Sequence, residues 1–238
     1  MAEVGLYSIS VRGFDVPALL DWAAAEGIPF VHLRGGLRGH QLVTYPLSTL
    51  REWRRIADDT VPITGVTADT DLADLLADDP ETRLRAGREV VRLAGAAAEL
   101  GAGWLRLLSR TPPQAGWARR EPPATAVPLL VEPHHPGWLV PGAFVSPPGM
   151  RLLADTRQLA GVSSALAEVV ERADVLHLSD DGRGFGGSEP VADLVACRIA
   201  AGRRVEVAVE WTGADRSPQA CLARYRAAVA WWAAREGS

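Results

Sequence analysis

A closed parallel (β/α)8 barrel of the TIM type is the fold the sequence predicts, and three observations predict it. Eight short β-type runs alternate with helical patterns along 238 residues, close to the about 250 that one such barrel takes. The run VPLLVE (Val127 to Glu132) reads as a fully buried strand, as a parallel sheet covered on both faces requires. The glycine-rich dinucleotide fingerprint is missing after the first run, which weakens the alternative, an open doubly wound sheet. The irregular stretches read as long loops inside a single domain, residues 1–238.

The elements follow in order. The first strand spans Gly5 to Ile9. A helix follows with Asp15 as N-cap, Pro17 in its first turn, and Val16, Leu19, Leu20 and Ala23 on one face; Gly27 ends it. Strand two is Pro29 to Leu33, followed by a helix from Leu47 to Asp58 and a third strand from Val61 to Ala68. A long alanine-rich helix from Glu81 to Leu100 closes at Gly101, and Gly103 to Leu108 makes the fourth strand. RTPPQAGWARREPPATA and PHHPGWLVPGAFVSPPG flank strand five and are too rich in proline for helical period. The crossovers after strands four and five are therefore expected as loops. Regularity returns with strand six (Met150 to Asp155), a helix from Leu159 to Arg172 and strand seven (Asp174 to Asp180). A helix from Pro190 to Ala201 and strand eight (Arg204 to Glu210) follow. The last helix starts near Ser217 and Pro218, with Cys221, Leu222, Tyr225, Val229 and Trp232 facing inward.

Composition narrows the chemistry. The formal charge of −4 gives no electrostatic reason to expect nucleic acid or an anionic membrane as partner. The chain has no lysine, which excludes a lysine Schiff base, a lysine general base and a phosphate-loop lysine. The two cysteines, Cys197 and Cys221, sit in helical patterns and form no CxxC pair, so neither a structural zinc site nor a disulfide framework is expected. The N-terminus MAEVGLYSIS lacks the regions of a signal peptide, and no apolar run reaches the roughly 18 residues of a membrane span. The expected compartment is the cytoplasm. Two missing crossover helices would bare the outer face of strand five. Either the proline-rich loops fold back over it or a second subunit does, and a homodimer through this region is expected.

Four late strands each end in a potential metal ligand: Glu132, Asp155, His177 and Glu210. Parallel strands bring their C-terminal ends to one face of a barrel, so these four can converge. One nitrogen and several carboxylate oxygens suit one divalent ion, Mn²⁺ first, with Mg²⁺, Co²⁺ or Zn²⁺ as alternatives. His32 and Arg34 end strand two and are expected at the pocket mouth. Arg106 on strand four is either a clamp for a substrate carboxylate or phosphate or an interior ion pair with a ligand-side acid. Trp104, Trp138 and Trp211 offer flat walls for a sugar ring, though core packing is the commoner role for each.

This Glu–Asp–His–Glu order resembles the sugar isomerase and epimerase branch of the xylose-isomerase-like family. HLSDDGRGFGGSEP, with Arg183 six residues after His177, is similar to that family's segment after strand seven, whose arginine contacts substrate. The resemblance implies a metal that polarises adjacent oxygens of a small hydroxy-carbonyl substrate, with Glu210 as ligand and base and an enediolate intermediate. It also implies Glu132 in the catalytic machinery, and His134, Arg183 and Trp211 in contact with substrate. Three positions depart from the family: Trp138 stands where a second catalytic glutamate is usual, Gln158 where a histidine is, and His32 where a glutamate often is. His135 or His134 would then have to serve as second base. A lyase or dehydratase using one base, and an inactive barrel that binds a ligand or partner, are the alternative functions. The multi-histidine set of the abasic-site endonucleases in a sister branch is not evident.

Overall fold

The computed structural model describes residues 3–140, 147, 149–160 and 165–236. Eight parallel strands close into a barrel in sequential order. They are β1 (Val4–Tyr7), β2 (Val31–Arg34), β3 (Ile63–Asp71), β4 (Leu105–Ser109), β5 (Leu129–Pro133), β6 (Arg151–Asp155), β7 (Ala173–Asp180) and β8 (Glu206–Trp211). Closure is made by β1 on β8, with Val4 opposite Val207 and Leu6 opposite Val209. Strands two, three and five start later than expected, each after a proline: Pro29, Pro62 and Pro128. A proline has no N–H to give the ladder, so pairing begins beyond it.

The outer ring holds α1 (Val16–Ala25), α2 (Leu47–Asp59), α3 (Leu72–Leu75), α4 (Pro80–Glu99), α5 (Leu166–Glu171), α6 (Glu189–Ala200) and α7 (Pro218–Glu236). Local signals place them. The Asp15 carboxylate accepts the Ala18 amide at 2.9 Å, and Gly27 takes φ of 72° past the end of α1. Asp79 caps α4 in the same way through Thr82. α5 is much shorter than the helix expected from Leu159 to Arg172. Leu159 lies instead in a turn whose amide bonds the Asp155 carbonyl, and residues 161–164 of that expectation lie outside the described set.

The crossover after β4 is a loop with one 3-10 turn, Ala115–Arg119. After β5 a second turn, Pro136–Leu139, precedes residues 141–146, which are outside the described set. Both loops fold back over β5. Trp117 and Trp138, one from each turn, belong to the main core with Leu129 and Val131, and their ring centroids are 6.0 Å apart. The outer face of β5 is thus closed within the chain, and a second copy is not required to cover it.

The barrel interior is filled from the N-terminal end by a separate cluster of Trp104, Leu130, Leu153 and Val175. Two glycines make room for aromatic rings there. A Cβ on Gly65 would stand 1.9 Å from the Trp104 ring, and one on Gly5 would stand 2.2 Å from Phe30. The polar residues are stacked above this plug. Trp117→Ala is expected to cost about 3–5 kcal/mol in urea unfolding, because it removes a buried ring that replaces a whole crossover helix. An unchanged midpoint would show that the loop does not cover β5.

Candidate metal centre

Strand alternation sends every second side chain inward, which puts Asp155, His177 and Glu210 in one layer at the C-terminal mouth. One ligand atom from each lies within 4.8 Å of the others. Asp155 is held from behind: one carboxylate oxygen accepts the amides of Arg157 and Gln158, each at 2.9 Å, and the other accepts the Ser179 hydroxyl. Glu132 faces the same pocket but is turned to other partners. Its Oε2 is 2.8 Å from Arg106 Nε, and its Oε1 is 2.9 Å from His134 Nε2. Three of the four expected ligands therefore converge, and the fourth is occupied beside them.

A buried relay sets the polarity of His177. At its lower end the half-buried Glu206 receives, on one oxygen, Trp104 Nε1 at 3.2 Å and Thr64 Oγ1 at 2.9 Å. His32 Nε2 lies 3.1 Å from the same oxygen. Burial alone would raise Glu206, but its hydrogen bonds to His32, Thr64 and Trp104 outweigh it and hold the carboxyl below the ordinary range, so the oxygen facing the indole N–H is an ionised acceptor. His32 must then carry its proton on Nε2, leaving Nδ1 to accept. His32 Nδ1 is 3.1 Å from His177 Nε2, so His177 donates from Nε2 and keeps a bare lone pair on Nδ1. That lone pair points at Glu210 Oε2, 3.1 Å away. Two lone pairs at this distance repel unless a proton or a cation stands between them. A donor set of this kind, with the histidine's other nitrogen hydrogen-bonded to an outer partner, fits a divalent ion. Asp155, His177 and Glu210 would hold it, with Glu132 beside them paired to Arg106 and His134.

The electrostatics agree. Burial, together with the charges of Glu210 and Glu132, raises Asp155 to about 7. Glu210 is raised too, chiefly by burial and by Glu132. Burial would also raise Glu132, but Arg106 and His134 outweigh it and pull its carboxyl below the ordinary range. Burial lowers His32 and His177 to about 4 each, so both rings are neutral at physiological pH. Tyr7, stacked on His177 with centroids 4.8 Å apart, is pushed to about 12 by burial and stays a phenol.

The other expected residues are placed unevenly. His32 is not at the pocket mouth: it is wholly buried one layer below, with both ring nitrogens engaged. Arg34 does reach the rim, 2.7 Å from Asp69. Arg106 forms the interior ion pair with Glu132 and donates to the Ala68 carbonyl at 2.9 Å, so the clamp alternative does not describe it. His135 spends its Nδ1 on the Gly137 amide at 2.9 Å, while His134 is the histidine that touches the site. Arg183 is 89% exposed and its nearest acid is Asp181 at 3.8 Å. Trp211 is buried, with Nε1 donating to the Asp215 carbonyl and its ring against Gly182 and Gly213. It packs outside the barrel, on the strand face opposite Glu210.

Glu206, Ser179 and Asp69 did not stand out in sequence, yet a signal was there. Glu206 shares an alternate position of RVEVAVE with Glu210, and Ser179 shares one of DVLHLSD with His177, so period two puts each pair on one face. For Asp69 only the fold brings its partner, Arg34, from another strand.

Two measurements test this site. Asp155 titrates higher in the folded chain than unfolded, so its contribution to stability is complete below about pH 4 and is lost as pH rises through about 7. Metal-stripped protein should therefore melt lower at pH 8 than at pH 6, and Asp155→Asn should flatten that slope; no slope in the wild type would contradict the buried-acid assignment. In ¹⁵N NMR, His177 should appear as the neutral Nε2–H tautomer, and an Nδ1–H form would reverse the relay.

No family model matches the sequence, and neither does any curated protein. Solved structures do match over nearly the whole chain. The 3-keto-D-glucoside 4-epimerase YcjR from E. coli, in its apo form, is 14% identical with a TM-score of 0.67, covering 98% of this chain and 100% of that one. A D-psicose 3-epimerase from Clostridium cellulolyticum H10, solved with D-tagatose, is 13% identical with a TM-score of 0.71, covering 98% and 99%. The IOLI protein with a bound zinc atom is 11% identical with a TM-score of 0.66, covering 97% of each. At these identities the likeness establishes architecture: the chain has the (β/α)8 barrel fold shared by sugar epimerases and xylose isomerase domain proteins.

Proposed function

We propose that this chain is a divalent-metal-dependent isomerase or epimerase of a small polyhydroxylated carbonyl compound. The observation that carries the reading is the convergence of Asp155, His177 and Glu210 at the barrel mouth, with the His177 lone pair aimed at the Glu210 carboxyl. The sugar epimerases among structures of the same fold support it. A bound divalent ion, Mn²⁺ in the first instance, would supply Lewis-acid polarisation of neighbouring hydroxyl and carbonyl oxygens of the substrate.

The chain's own groups would do the rest. Glu210 is the carboxylate placed to accept the proton from the acidified C–H, and its raised pKa brings it near the value a general base needs at neutral pH. Arg106 keeps Glu132 ionised beside it, and the Glu206–His32 pair holds His177 in one tautomer. A second proton-transfer group is supplied on the Glu132 side by His134, whose own pKa Glu132 raises against the effect of burial. His134 thereby takes the role expected of His135.

One observation favours a second reading. Trp138, at the position of the usual second glutamate, is fully buried in the core and donates to the Thr111 carbonyl at 2.9 Å. Epimerisation wants a base on each face of the substrate, whereas elimination of water from an enediolate needs one base and one acid. A lyase therefore uses the same site without a second base.

Wild-type protein, stripped and reloaded with Mn²⁺, is expected to take up about one ion per chain, as a mononuclear site would. His177→Ala should abolish uptake, and Glu210→Gln should lower turnover by about 10²–10⁴-fold. In a screen of sugars in D₂O, deuterium at the carbon beside the carbonyl without loss of water supports isomerisation, and loss of water supports the lyase. Absence of metal uptake by a folded wild type would sink both and leave a ligand-binding barrel.

A further inference from the structure

Beside Glu210, the loops that follow β8, β1 and β2 enclose a cleft of about 330 Å³ lined by Arg12, Arg34, Arg38, His40 and Arg216. Asp69 is the one carboxylate in ion-pair contact with these arginines, and it is shared between Arg34 at 2.7 Å and Arg38 at 3.3 Å. Among the described residues Arg12 and Arg216 have no carboxylate within ion-pair distance. Arg216 is instead oriented by main-chain carbonyls: Nε donates to Gly213 at 3.3 Å, Nη1 to Ile9 at 3.2 Å and Nη2 to Thr212 at 3.3 Å. Carbonyls fix the plane of a guanidinium without neutralising it. A structural arginine that closes on an acid has satisfied its charge; this one is held open toward the cleft.

Four guanidinium groups line the cleft and no carboxylate does; Asp69 pairs with two of them from outside it, so the lining is cationic. Like charges crowded at a half-buried rim repel, and an anion with several oxygens relieves that repulsion while accepting the unused N–H groups. Burial first, and then the neighbouring charge of Arg12, lower the Arg216 pKa. Arg216 donates to the carbonyl of Thr212, two residues beyond Glu210, so the cleft lies beside the end of β8 that carries the metal-centre carboxylate.

We propose that this arginine cleft is a phosphoryl-binding subsite, and that the substrate of the metal centre is a phosphorylated polyhydroxy carbonyl compound. The phosphate sits in the cleft, and the hydroxy-carbonyl end reaches Asp155, His177 and Glu210. A dianion answers the charge excess better than a carboxylate does. The subsite also replaces the clamp considered for Arg106, which is paired with Glu132, while Arg183 extends into solvent on the β7 side. The assignment of a substrate class rests on the metal-enzyme reading; the anion subsite itself does not.

The test is calorimetric titration with inorganic phosphate at constant ionic strength, using protein stripped of metal and dialysed free of chelator, so that no metal can hold the ion. Wild type should bind phosphate, and acetate at least about tenfold more weakly. Arg12→Gln combined with Arg216→Gln should weaken phosphate about tenfold or more, the size of one lost charge-assisted contact, and Arg183→Gln should leave it unchanged. Unaltered melting of the double variant shows that it is folded. If wild type does not bind phosphate, or the folded double variant binds it as well as wild type, the subsite is wrong. Acetate binding as tightly as phosphate overturns the phosphoryl assignment. Mn²⁺ uptake measured on the same samples separates the two readings: uptake without phosphate binding overturns the subsite alone, and phosphate binding without uptake overturns the metal-enzyme reading alone.

Discussion

The hydrogen bonds that Glu206 accepts at the N-terminal end of the barrel set the state of everything above it. These hydrogen bonds keep Glu206 ionised; because Glu206 is ionised, His32 donates; because His32 is neutral, His177 donates in turn and exposes Nδ1. The two histidine steps are exclusions between donor and acceptor in fully buried rings, where water does not compete. The outcome is a bare His177 lone pair facing a buried group of three acids, Glu132, Asp155 and Glu210, at the mouth of the barrel. A protein interior tolerates that arrangement only when one of the acids stays protonated or a cation joins them. The raised pKa values of Asp155 and Glu210 are the first solution, and a bound cation would be the second.

The remaining charges are arranged so that this tension is confined. Arg106, wholly inside the barrel, gives its charge to Glu132 and one N–H to the Ala68 carbonyl, and thereby keeps one of the three mouth carboxylates ionised. With Glu132 committed as an anion, Asp155 and Glu210 carry the strain and shift in the opposite direction. Carboxylates in one pocket with divergent pKa values are the arrangement proton-transfer sites use. Beneath them the apolar plug of Trp104, Leu130, Leu153 and Val175 separates the charged layer from the N-terminal end. Its packing depends on glycine at position 65.

One of the departures from the pattern of the family the sequence resembles, Trp138, has a plain physical origin. The crossovers after β4 and β5 are loops, so the side chains that seal β5 have to come from the loops themselves. Trp138 is one of them, and a residue spent on sealing the core cannot also be a base. On the opposite side of the mouth, the loops after β8, β1 and β2 carry the arginines. Acid–base groups on one flank and cations on the other give the pocket a polarity that a substrate with one anionic end would match.

The sequence by itself determined the barrel, its strand order, most of its helices and the strand-end residues of the metal centre. These follow from local rules: period-two and period-3.6 burial, capping by Asp15 and Asp79, proline where a helix cannot run, and the fact that parallel strands end on one face. Prolines shifted strand starts by a residue or two without moving any ligand. What the tertiary structure alone decided is who faces whom. His32 looked like a mouth residue because it lies near a strand end, yet the stagger of β2 against its neighbours puts it a layer deeper, against His177 and Glu206 from strands far away in sequence. Glu132 reads as a ligand like the others until Arg106, on the adjacent strand, is seen to claim it. The arginine cleft draws on three loops separated by most of the chain, and no local pattern links them. Periodicity fixes the face of a strand on which a side chain stands; its partner is set by register and barrel closure, which are properties of the whole chain.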